Sequence, residues 1–173
     1  MMNSGKDYYE IMRRLGEIFL SEKFEDVSEI KLREGYEMTY LCYVDDVVLT
    51  DKQFSALSRL MENDGNIYIM NSAFDLAATK PQGEKEYPEM CEIYSFRLPM
   101  GYDEYVLKFE DIRIQPLIML FDDSFEWVVV TDENRVDGHG VFIAKNVLTG
   151  RFRTLYPDWK DDEKLYRELF AGE

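Results

Sequence analysis

The chain has 173 residues, 46% hydrophobic and 14% aromatic, with 35 Asp and Glu, 20 Lys and Arg and one His. That length suits a single domain, 1–173, able to bury about 70% of its extended-chain surface without disulfide or metal, and the apolar content argues against disorder. The formal charge of −15 works against nucleic-acid binding and suits a basic partner.

In chain order, Ser4 is placed to cap a first helix, with Asp7 three residues on. Tyr8, Ile11, Met12, Leu15, Ile18 and Phe19 then share one stripe at helical spacing. Tyr36 to Val44 and Val47 to Leu49 read as strand-like runs around a turn at Asp45-Asp46. Thr50-Asp51-Lys52-Gln53 has the pattern of a capping box, Phe54, Leu57, Leu60 and Met61 supply an apolar face, and Asp64-Gly65 a stop. Asn66 to Met70 predicts a short strand. Asn71 to Pro88 then breaks the rhythm with Pro81, Gly83 and Pro88. Aperiodic connections of that length tend to be functional or mobile.

Met90 to Leu98 predicts a longer strand, closed by a turn at Pro99-Met100-Gly101. Tyr105, Leu107 and Phe109 alternate with Val106, Lys108 and Glu110, which predicts another strand, and Pro116 is expected at an edge or a break. The clearest hairpin joins Trp127–Val130 to Val141–Ala144 through a polar loop. A turn at Asn146 to Gly150 is expected to lead into a strand, Phe152 to Tyr156. A last helix follows Pro157-Asp158, capped by Asp158, with Asp161, Asp162 and Glu163 at the positive end of its dipole. Its predicted buried stripe is Leu165, Tyr166, Leu169 and Phe170. The class is α+β: an antiparallel sheet of meanders and hairpins, with N-terminal, mid-chain and C-terminal helices covering one face.

Cys42 and Cys91 form no CxxC pair and fit buried thiols in a reducing compartment. No basic segment followed by an apolar core opens the chain, and the longest purely apolar run is Leu117 to Phe121. The expectation is a cytoplasmic protein that does not enter a membrane. The middle of the chain, residues 84–137, carries a net −9, against −6 for residues 1–83 and zero for 138–173. An electrostatic face should therefore draw on that middle.

Motifs for chemistry are incomplete. Tyr43-Val44-Asp45-Asp46 resembles, over four residues, the metal-binding hairpin of reverse transcriptases, but the chain is too short and too acidic for a polymerase. Asp132 to Gly138 has the composition of a calcium loop and the wrong register, with Val136 in a ligand slot. Asp158, Asp162, Glu163 and Lys164 share the letters of a restriction-type nuclease core, yet all belong to one helix start. A lone His139 excludes paired-histidine zinc sites and is expected at the solvent edge of a hairpin. No phosphate-binding glycine loop or nucleophile elbow is present, and no cofactor is expected.

Tyrosines beside acids remain. A tyrosine gives rigid contact area and acids match Lys and Arg, so Tyr102, Asp103, Glu104 and Tyr105, with Asp122, Asp123 and Glu126, are the candidate partner-binding residues. The leading reading is a non-enzymatic protein-binding domain, such as a bacterial immunity or inhibitor protein that engages a basic toxin. The Phe121 to Trp127 turn running into a hairpin looks broadly like the C-terminal hairpins of several such small proteins. Alternatives are a metal-dependent carboxylate enzyme using Asp45 and Asp46, and a sensor binding a small ligand beneath Asn71 to Pro88.

Overall fold

Strand β7, Trp127–Asp132, has every residue buried, which requires cover on both faces of its sheet. The computed structural model describes residues 8–42, 48–71, 74–76, 92–110, 112, 117–132 and 139–169. In chain order its elements are α1 (Tyr8–Leu15), β1 (Lys23–Phe24), a 3-10 turn (Val27–Glu29), β2 (Tyr36–Leu41), α2 (Asp51–Leu60), β3 (Gly65–Met70) and β4 (Phe74–Asp75). Then follow β5 (Ile93–Leu98), α3 (Tyr102–Leu107), β6 (Leu117–Asp122), β7, β8 (His139–Lys145), α4 (Asn146–Leu155) and α5 (Trp159–Leu169). Six strands form an antiparallel sheet in the order β2-β8-β7-β6-β3-β5, and β1 pairs with β4. The fold is α+β, with helices at both ends of the described chain.

The two-residue period of the strands sends alternate side chains into two cores. Leu120, Val129 and Phe142 pack with Phe54, Leu57, Tyr105 and Phe152 from α2, α3 and α4. Phe121, Val128, Val130 and Ile143 pack on the opposite face with Tyr8, Ile11, Met12 and Leu15 of α1. Helices were expected on one face; α1 and the segment after it cover the second. The meander β6-β7-β8 follows the hairpin expectation. Beyond it the sheet departs from sequence order, since β8 neighbours β2 and β6 neighbours β3.

Helix α2 starts as its capping box predicts: Gln53 N–H donates to Thr50 Oγ1 at 3.2 Å, and Thr50 N–H to Gln53 Oε1 at 3.0 Å. Replacing Thr50 with Ala should cost about 1 kcal/mol, read from urea unfolding. Its other end is turned by Glu62 and Asn63, both at positive φ, before Gly65 opens β3.

Three expectations are corrected. Residues 102–107 are helical, because Tyr102, Tyr105, Val106 and Phe109 also recur at helical spacing, and Asp103 and Glu104 favour the first turn of a helix. Residues 146–155 form α4 instead of a turn and a strand. There Thr149 and Phe152 face the core, while Gly150 points into open space and is tolerated at about 1 kcal/mol. In α5 the expected apolar stripe is half-buried at Leu165 and Tyr166 and 44% exposed at Leu169; the buried residue is Asp162. Ser4, Pro116 and Phe170 lie outside the described residues. Among the described residues, no helix is long and apolar enough to cross a membrane.

Candidate functional site

The turn between β6 and β7 is held from several sides. Asp122 Oδ1 accepts from Ser124 N at 3.0 Å and from the Ser124 hydroxyl, which itself accepts from Glu126 N at 3.1 Å. Phe125 takes a positive φ of 55°, buries its ring on Phe121 with centroids 5.2 Å apart, and lies 4.6 Å beneath the Arg14 guanidinium. Tyr68 Oη donates to Asp123 Oδ1 at 2.8 Å. The turn thus carries Asp123 and Glu126 exposed on a fixed backbone, whereas half-buried Asp122 shapes the turn itself.

Register brings a second acidic element to the same end of the sheet. Ile67 pairs with Asp122 and Gly65 with Leu98, so the β6–β7 turn and the start of α3 lie at one end. Two strand spacings, about 10 Å, separate β6 from β5. Asp103 and Glu104 are exposed there, and Asp64 is bridged to Arg97 at 3.0 Å. The two tyrosines predicted with them serve the interior. Tyr102 Oη donates to the Leu49 carbonyl at 2.8 Å, and Tyr105 Oη accepts from Leu49 N at 3.0 Å. Tyr105 is fully buried, so its ring presents no surface to a partner.

A buried polar network lies under α5. Asp162, 4% exposed, accepts on Oδ2 from Tyr156 Oη at 2.6 Å and from Cys42 N at 3.2 Å. Gln53 Nε2 donates to the Cys42 carbonyl at 2.8 Å and to Tyr156 Oη at 3.3 Å, and Cys42 Sγ donates to the Asp162 carbonyl at 3.3 Å. One glutamine therefore completes a helix cap and ties α2 to this network. Burial raises the Asp162 carboxyl above its usual 3.8, with Asp158 adding to the rise and the hydrogen bonds opposing it. Burial, then the bond to Asp162, raises the Tyr156 hydroxyl above its ordinary value.

A raised carboxyl binds its proton more tightly in the folded chain than in the unfolded one. The stabilising contribution of Asp162 is then fully present below its unfolded pKa and lost as pH rises through the folded value. Relative to Asp162→Asn, the wild type should lose stability as pH rises from the ordinary carboxyl range through the raised folded value. Urea unfolding of both proteins across that range checks this; a constant difference would mean that Asp162 titrates alike in both states.

His139 is fully buried, which corrects its expected place at a solvent edge. The ladder between β7 and β8 extends to the pair Asp132 and His139, and the imidazole meets Tyr166 edge-on at 5.6 Å. Asp132 Oδ2 accepts from Val27 N at 3.1 Å, fastening the 3-10 turn to the sheet. Asp45, Asp46 and residues 133–138 lie outside the described residues, as does most of Asn71 to Pro88. Among the described residues, no group of three or more His, Cys, Asp or Glu could hold a metal ion.

Beside the network, a groove of about 370 Å³ runs between α2 and the α4–α5 link. Asp51 and Asp158 balance Lys52 and Arg59 in it, and Lys52 Nζ is bridged to Asp158 at 3.2 Å. Comparison of the chain with protein-family models, curated proteins and solved structures finds no match.

Proposed function

We propose that the protein is a non-enzymatic protein-binding domain whose acidic surface engages a basic partner, as an immunity or inhibitor protein engages a basic toxin. The observation that carries this reading is the β6–β7 turn. Its backbone is held by Asp122, Ser124 and buried Phe125, while Asp123, which accepts from Tyr68, and Glu126 are exposed. Charges on a fixed backbone lose little freedom on binding, so more of their attraction survives as affinity. A chain of net −15 also draws a basic partner into encounter, and salt screens that attraction.

Asp103 and Glu104 extend the proposed face; Tyr105 leaves it, because its ring is buried. The test is a pulldown from native-host lysate at low and high salt, with wild-type and Asp123→Asn/Glu126→Gln protein as parallel baits. A basic protein captured by the wild type, weakened by salt and by the double substitution, supports the reading. Equal capture by both baits removes the turn from it.

A further inference from the structure

We propose that α5 is a detachable strap across the outer edge of β2, releasing as a unit while the rest of the sheet stays folded. The first observation is its path. Strand β2 ends the sheet order, so one of its edges has no strand beside it among the described residues. Trp159, at the start of α5, packs with the core of α2, α3 and α4. Two turns later, Tyr166 stacks on Tyr40 with centroids 3.9 Å apart and planes at 10°, and Tyr40 packs with the opposite core. The helix therefore passes from one face of the sheet to the other, and between those points Asp162 takes the N–H of Cys42, one residue beyond β2.

The second observation is how it is held. A surface helix is normally anchored by an apolar stripe, whose burial resists release in proportion to area. In α5 the buried side chain is the Asp162 carboxyl, and the apolar contacts, Trp159 on one core and Tyr166 on Tyr40 and His139, are made by half-buried rings. The Tyr156–Asp162–Cys42 bonds form its centre, the Arg153 guanidinium lies 4.4 Å over the Trp159 ring, and the Lys52–Asp158 bridge beside its start is exposed. Water can replace such polar partners when the helix lifts, whereas it cannot replace apolar packing. Segments with few buried apolar contacts open at lower free energy than the core. Release uncovers the part of β2 beside Cys42, while Arg153 of α4 still holds the Met38 carbonyl, and it exposes the thiol of Cys42, which is 1% exposed when α5 is docked. The proposal is independent of the acidic turn.

Cys42 serves as the reporter. In a Cys91→Ser background, its labelling by a maleimide is followed from zero urea up to the unfolding transition, and global unfolding by far-UV circular dichroism. Labelling in zero urea should outpace global unfolding at least tenfold and change little with urea. Asp162→Ala should speed it by a further tenfold or more. Leu15→Ala, on α1 in the core that Trp159 does not join, should lower global stability and leave zero-urea labelling unchanged. Labelling that matches global unfolding in rate and urea dependence would overturn the strap, and the wild-type profile alone decides this if Asp162→Ala does not fold.

Discussion

Truncating Tyr105 to Ala is expected to destabilise the fold by about 3–5 kcal/mol, the usual cost of removing a fully buried aromatic ring. The ring stacks on Phe54 with centroids 4.2 Å apart and meets Phe109 edge-on at 5.3 Å, so its loss opens the centre of one core. Tyr105→Phe isolates the hydroxyl. It keeps the ring and deprives the buried Leu49 N–H of its acceptor, at about 1–3 kcal/mol. Urea midpoints of the two variants give the comparison directly. A Phe variant as stable as the wild type would show that the hydroxyl does not hold the entry into α2.

Neutralising Asp123 and Glu126 together should weaken association with a basic partner by about 1–3 kcal/mol, roughly 5–150-fold. Both side chains are exposed, so each ion pair is worth little in water, and the lower figure applies if they sit at the rim of the interface. The larger figure applies if the partner desolvates them. In either case the loss should fall mainly on the association rate at low salt. It should shrink at high salt, as the screening length drops from about 10 Å at 0.1 M to about 3 Å at 1 M. Asp122→Asn tests a different property. Its carboxylate holds Ser124, so neutralising it perturbs the turn as well as the charge.

What could be read from sequence was local. The capping box of α2, the β6–β7 turn and the hairpin strands are each specified by residues a few positions apart. The misread helices α3 and α4 show where local signals compete. Tyr105, Leu107 and Phe109 alternate, yet Tyr102, Tyr105 and Phe109 also satisfy a helix, and six residues cannot decide between the two periods. Asn146 and Gly150 are strong punctuation, which α4 overrides because Thr149 and Phe152 bury against β8 and its neighbours. Asp162 was invisible as an anchor. An acid at a helix start looks the same whether water or protein faces it, and its partner Cys42 is 120 residues away. His139 follows the same logic, since Tyr166 and the ladder that bury it lie elsewhere in the chain.

The most direct test of the account is the paired pulldown from native-host lysate, using wild-type and Asp123→Asn/Glu126→Gln baits at about 0.05 M and 0.5 M salt and read by mass spectrometry. One basic protein should be enriched on the wild type at low salt, diminished at high salt and diminished on the double variant. Enrichment that is indifferent to both salt and the substitutions, or no basic protein at either salt, would contradict it.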